Sequence, residues 1–296
     1  MIKDKSAYLA FFLLQKLSLL LPKAFKIALA KALAYLFYKY HKKYYKIAKI
    51  NIDFIYGNSL THTQKEQMIK DMFFNLAQNF GSFLENQGIS KAKLLQKVTF
   101  KNDKVFIDAL NGDRPIVFIT AHHGNWEILP LAIAAKYNPL VGVGRPLKQK
   151  WLDNILKKNR EQFGIEMIDK KGAMRHMVKI VKAKKPLGLL VDQNLEGIVV
   201  DFFGKRASHT TAAAILAYKF NAIVIPCFIK RVAFERYEAT FFDPIEVEKS
   251  NDMEKYILQH TQKQAIITQE FIKKSPSQWL WIHRRWKREY PQIYKG

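Results

Sequence analysis

The chain has 296 residues, 49 % of them hydrophobic, which excludes global disorder and allows one large folded domain or two modest ones. Against 25 Asp and Glu, 49 Lys and Arg leave a net charge of +24, a field that draws nucleic acid, acidic lipid headgroups or an acidic protein. A lone cysteine, Cys227, excludes an internal disulfide; inside Ile223-Val-Ile-Pro-Cys-Phe-Ile229 it reads as a buried strand thiol.

Residues 6 to 56 predict helix, with a turn near Pro22 and a stop near Gly57-Asn-Ser59. The apolar runs Leu9 to Leu14 and Leu17 to Leu21 are divided by Gln15 and Lys16. They fall short of the roughly 20 residues that an uninterrupted membrane span needs. No small-residue cleavage site follows, so the segment does not read as a removed leader. A second apolar stretch, Ala24 to Tyr38, carries Lys26 and Lys31, and Tyr38-Lys-Tyr-His-Lys-Lys-Tyr-Tyr-Lys46 then interleaves lysine with tyrosine. Aromatic and cationic side chains together suit a headgroup layer. The expectation is an N-terminal helical membrane-associating segment over residues 1–56, lying in or shallowly spanning the bilayer, with residues 57–296 left on the cytoplasmic side. An ordinary core helix with a solvated basic face is the alternative. Nucleic acid is not expected as a partner, because the basic residues are spread along the chain without a helix-turn-helix, zinc-finger or RNP-type pattern.

Thr63 and Glu66 stand at capping-box spacing and predict a helix running through Met68 to Leu84. After Leu95 the texture changes. Short β-branched runs at 115–121, 139–144, 186–191 and 222–229 alternate with amphipathic stretches at 127–137, 151–163, 173–183 and 210–220. That alternation predicts an α/β domain with a mostly parallel central sheet covered by helices.

The stretch Thr120-Ala-His-His-Gly-Asn-Trp-Glu127 follows the first of these strands. In open α/β sheets ligands collect beyond the carboxyl ends of strands, which is where His122 would stand. Trp126 onward reads as helix. Glu127 would then lie in its first turn, with Gly124 allowing a sharp path and Asn125 available as a cap. A carboxylate on one imidazole nitrogen leaves the other free to take a proton, so His122 with Glu127 could activate a hydroxyl directly. The same residues could instead only shape a turn. A metal site is not expected: adjacent histidines point apart and no HExxH occurs. Gly142-Val-Gly144 lacks a third glycine and no GxxxxGK[ST] is present, so nucleotide folds are not indicated.

His122-x4-Glu127 resembles the HX4D/E signature of glycerolipid-type acyltransferases, and His122-His-Gly-Asn-Trp-Glu127 is similar to the HFGNWE form of the late acyltransferases of lipid A biosynthesis. Further blocks follow in that family's order: Gly144-Arg-Pro-Leu147, Arg160 before Gly164, Val191-Asp-Gln193 with Val200 to Arg206, Ile223 to Pro226 with Arg231, and Gln278 to Lys287. His123 departs from it, standing where the family usually has an aromatic residue. The resemblance implies a glycerolipid-acyltransferase-like fold. It also implies transfer of a fatty acyl chain from acyl carrier protein to a hydroxyl of a lipid A precursor of the Kdo-linked type, at the cytoplasmic face of the bacterial inner membrane. Acyl carrier protein serves there as co-substrate, with no metal or other cofactor.

On that resemblance His122 is the general base and Glu127 its orienting partner. Arg145 would hold an acceptor phosphate or polarise the thioester carbonyl, and Arg160 corresponds to the arginine that follows it. Asn125 and Trp126 would shape the turn. Asp192 would orient Arg145 or another cation, or sit in a structural salt bridge. Lys205, Arg206 and Arg231 are anion-binding candidates, and His283 to Arg288 would meet headgroups or carrier protein, or form a solvated face. Two other readings stay open: an acyltransferase acting on a lysophospholipid, ornithine lipid or glycolipid, and a basic membrane- or nucleic-acid-binding protein without activity.

Overall fold

Pro22 divides the first two helices of the computed structural model, which describes residues 2–137, 139–169, 172–248 and 250–295. Helix α1 (Ile2–Leu20) ends just before it, and α2 (Lys23–Tyr40) starts just after, where the fixed φ of proline is compatible with helix entry. The helical stretch breaks again at His41, resumes as α3 (Lys42–Tyr56) and stops at Gly57, whose φ is 46°. Helix α4 (His62–Glu85) has its capping box at Thr61 and Gln64 rather than at Thr63 and Glu66. Thr61 Oγ1 accepts from the Gln64 N–H at 3.2 Å and Gln64 Oε1 accepts from the Thr61 N–H at 2.8 Å, the same spacing two residues earlier.

Among the described residues no helix is long and apolar enough to cross a membrane, so the spanning form of the N-terminal expectation is withdrawn. Helices α1 and α2 lean on α4 instead. Phe11, Ala30 and Ala34 face inward, while Leu13, Leu17, Leu20, Phe25 and Leu29 face outward.

The remainder runs α5 (Lys91–Leu95), β1 (Val98–Lys101), α6 (Lys104–Leu110), β2 (Ile116–Thr120), α7 (Ile128–Lys136), β3 (Val141–Gly144), α8 (Lys150–Arg160), β4 (Glu166–Asp169), α9 (Ala173–Lys182) and β5 (Leu187–Leu190). There follow β6 (Ile198–Phe202), β7 (Lys205–His209), α10 (Ala212–Phe220), β8 (Ile223–Ala233), β9 (Arg236–Phe241) and α11 (Met253–Lys274). Seven strands form one sheet in the order β1-β9-β8-β2-β5-β3-β4, and β6 with β7 makes a separate hairpin. Every pairing in the large sheet is parallel except β8 with β9, so the expected mostly parallel α/β sheet is present.

Strand β2 lies at the centre, buried on both faces, which is why its sequence is a continuous apolar run without alternation. Ile116 and Phe118 enter one core with Phe106 of α6 and Leu131 of α7. Val117 and Ile119 enter the other with Val181 of α9 and Leu216 of α10. Cys227 is fully buried in β8, and burial pushes its thiol well above the usual range, as befits a strand thiol. A third core joins Ile52 of α3 and Met72 of α4 to Phe202 of β6 and to Trp279, Trp281 and Trp286. The C-terminal basic cluster is therefore no uniform solvated face: Arg285 and Trp286 are fully buried.

Candidate active site

Parallel register builds the site. Thr120 of β2 is paired with Leu190 of β5, and the Val191 N–H donates to the Thr120 carbonyl at 3.0 Å. Two residues beyond each strand, His122 and Asp192 consequently come side by side. His122 Nδ1 lies 2.8 Å from Asp192 Oδ1, while the His122 backbone N–H donates to Oδ2 at 2.8 Å and Trp279 Nε1 donates to Oδ2 at 2.7 Å. Burial alone would raise the Asp192 carboxyl. The adjoining His122 charge and the three hydrogen bonds outweigh it and hold the group well below the carboxylate range. When the ring is neutral, the Asp192 carboxylate fixes its tautomer, with the proton on Nδ1 and the lone pair on Nε2.

The two nitrogens face different surroundings. Nδ1 is taken by Asp192, whose side chain is 2 % exposed, while the His122 side chain as a whole is 15 % exposed, which leaves Nε2 as the nitrogen for a substrate to meet. Gln193 Nε2 lies 3.2 Å from His122 Nε2 and donates to its lone pair. The Trp126 ring meets the imidazole edge-on with centroids 5.3 Å apart.

The expected partner of His122, Glu127, is engaged elsewhere in this structure. Glu127 is the N-cap residue of α7, and its carboxylate is gripped by Arg160 from the end of α8, with Nε to Oε2 at 2.8 Å and Nη2 to Oε1 at 2.5 Å. Burial disfavours the Arg160 charge, but the hydrogen bonds and charge of Glu127 prevail and raise its pKa. This bidentate pair ties α8 to the loop that carries His122. Asp192 likewise serves His122 and Trp279 rather than Arg145.

His123 does different work. Its ring is fully buried, with Nδ1 2.9 Å from the Ile229 carbonyl and Nε2 within 3.1 Å of the Ser275 hydroxyl, and it stands edge-on to Phe271. Burial lowers its pKa against the contacts with the Ile229 carbonyl and with the Ser275 carbonyl, 3.0 Å from Nε2, so it is a neutral strut between β8 and the end of α11. Gly124 follows with φ 57°; a Cβ there would lie 2.5 Å from the Ile229 carbonyl oxygen, so only glycine fits. Its own carbonyl accepts from Asn75 at 3.0 Å and Asn79 at 2.6 Å, both on α4. Asn125 is buried as well: Nδ2 donates to Ser82 and Tyr237, and Oδ1 accepts from the Ile128 N–H at 3.3 Å. It supports the first turn of α7 although the N-cap position belongs to Glu127.

The other basic candidates do not converge on His122 through any hydrogen bond. Arg145 is exposed just past β3 and, among the described residues, has no ion pair. Arg231 donates to Asn75, Tyr237 and Asn79, so it braces α4. Lys205 stands over the Phe54 ring at 5.1 Å, and Arg206 is exposed on the same hairpin. Gln193 and Trp279 had no assigned role in the sequence, although both lie in quoted motifs. The usable signal for Trp279 is that a buried indole N–H needs an acceptor. Among the described residues no three His, Cys, Asp or Glu side chains are grouped to hold a metal ion.

Together these groups provide a strand-end imidazole with a fixed tautomer, a lone pair toward the open side and a rigid scaffold behind it. Such a unit can take a proton from a substrate hydroxyl. The family model described as bacterial lipid A biosynthesis acyltransferase matches residues 4–288. No curated protein sequence matches the chain.

Proposed function

Because the chain belongs to the bacterial lipid A biosynthesis acyltransferase family, we propose that it moves a fatty acyl chain from acyl carrier protein to a hydroxyl of a lipid A precursor. The observation that carries the mechanism is the His122–Asp192 contact at the end of β2. The acceptor hydroxyl displaces Gln193 and meets His122 Nε2. As its oxygen attacks the thioester carbonyl carbon, a C–O bond forms and the proton passes to Nε2. Asp192 stabilises the imidazolium. The C–S bond then breaks and the carrier thiolate leaves with that proton, so His122 is regenerated. Glu127 acts through Arg160 to hold the loop, and Arg145 is free to meet an acceptor phosphate or the thioester carbonyl.

The charge of +24 suits both an acidic carrier protein and a phosphorylated acceptor. The outward leucines and phenylalanines of α1 and α2 support attachment to the cytoplasmic leaflet of the inner membrane by a helical pair lying in its surface. The test is a lipid A mass spectrum from a strain lacking the gene, together with acyl transfer by the purified protein. Lipid A missing one secondary chain is expected. Unchanged lipid A with a chain missing from a lysophospholipid, ornithine lipid or glycolipid product would replace the acceptor.

A further inference from the structure

Helix α4 continues past the loop it braces. Asn79 holds the Gly124 carbonyl, Ser82 meets Asn125, and Glu85 ends the helix about 9 Å further along its axis than Asn79, at 1.5 Å per residue. There a cavity of about 720 Å³ opens between α4, the corner joining α1 to α2, and the turn joining β8 to β9.

Five cations line it, Lys23, Lys26, Lys93, Lys97 and Arg236, against two carboxylates, Glu85 and Glu235. The carboxylates are already served: Lys26 lies 2.7 Å from Glu85 and Lys97 2.8 Å from Glu235. The two carboxyls adjoin each other; burial, then that contact, raises the Glu85 carboxyl, while, against burial, Lys97 and Lys26 help to lower that of Glu235. Lys23, Lys93 and Arg236 have no carboxylate partner among the described residues; Arg236 reaches only the Gln96 backbone carbonyl. Leu19 on the rim continues into the outward apolar side of α1 and α2. A concave wall with surplus cations, next to an apolar face, suits an anionic headgroup attached to a lipid.

We propose that this cavity binds a phosphate monoester, held by Lys23, Lys93 and Arg236. In the acyl-transfer reading, on which this assignment of the ligand rests, the phosphate belongs to the acceptor, whose reacting hydroxyl lies on another arm and reaches His122.

The full-length protein is titrated with inorganic phosphate, and with detergent micelles carrying phosphatidic acid or phosphatidylcholine. Phosphatidic acid micelles are expected to bind more tightly. The variant Lys23→Gln, Lys93→Gln, Arg236→Gln should lose that preference by about tenfold or more. A control variant, Lys104→Gln, Lys184→Gln, Lys255→Gln, removes the same charge from exposed positions elsewhere and should keep it. Both should retain the parental melting temperature, since every altered side chain is exposed. Competition by inorganic phosphate would make the phosphate group itself the ligand, and its absence would make the intact lipid headgroup the ligand; either supports the site. Equal losses in the two variants, or no preference for phosphatidic acid, overturn it. Binding is read without turnover, so intact binding with no acyl transfer would sink the reaction and leave the site standing.

Discussion

A neutral imidazole offers one lone pair, and in this protein the choice of nitrogen is made by Asp192. Its Oδ1 takes the Nδ1 proton, and its Oδ2 takes the Trp279 indole and the His122 backbone N–H. His122→Ala is expected to lower kcat by about 10²–10⁴ with purified acyl carrier protein substrate. Asp192→Asn should cost at least about 10², because an amide cannot accept at both positions, and one of the three donors would face an NH₂ group. Full turnover by Asp192→Asn, with none in Glu127→Gln, would return the orienting role to Glu127. Gln193 gives a finer test, since it shields the lone pair that the acceptor must reach. A hydrogen bond of net worth about 0.5–1.5 kcal/mol is lost in Gln193→Ala, so KM for the acceptor should fall roughly two- to tenfold with kcat little changed. A fall in kcat at unchanged KM would make the amide part of the transition state instead.

The loop between β2 and α7 is pinned from three sides, by β8 through Ile229, by α4 through Asn75 and Asn79, and by α8 through Arg160. Gly124→Ala forces a side chain into a φ of 57° and against the Ile229 carbonyl, so a loss of about 1–3 kcal/mol in urea unfolding is expected, with activity falling further because His122 is displaced. Unfolding and turnover both at parental values would show that the backbone can move aside. Elements differ in how far their sequences disclose them. Strands β2, β3, β5 and β8 are apolar runs inside the sheet, buried or half-buried along most of their length, and stand out in the chain. The short β4, Glu166-Met-Ile-Asp, lies at the sheet edge, and β7, Lys205-Arg-Ala-Ser-His, forms a detached hairpin; their polar content carries no strand signal. The Lys205 and Arg206 that resemble a binding block are strand residues of that hairpin. His122 was legible from the strand before it. Its partner was not, because Asp192 lies 70 residues away and meets it only through the adjacency of β2 and β5.

Burial on the scale of the whole chain gives it an acid limit. His209 is fully buried, and burial, then the neighbouring Arg285 charge, lowers its pKa from 6.5 to about 3; burial lowers that of His260 to about 4. Below pH 6.5 the unfolded chain takes up protons that the folded chain refuses until those lower values. Stability is therefore complete above pH 6.5 and falls as pH drops toward 4, by at most about 1.4 kcal/mol per pH unit for each histidine. Urea unfolding at pH 7, 6 and 5 measures the slope, and a flat series would mean that both histidines charge freely when folded. The outward face of α1 and α2 gives the molecule its other large-scale property. Leu13 is 62 %, Leu17 56 % and Leu20 82 % exposed, although burying one such side chain gains about 1.5–3 kcal/mol. Insertion of that face into a headgroup layer would recover this energy, while the lysines of the Tyr38 to Lys46 stretch reach acidic lipid. Replacing Leu13, Leu17 and Leu20 with Glu should reduce co-sedimentation with anionic vesicles by about 10² or more and leave the melting temperature unchanged, because none of the three is core. The same change at Val232, Leu258 and Ile266, also exposed but on β8 and α11, should leave partitioning intact. If the two variants partition alike, the helical pair is not a membrane face.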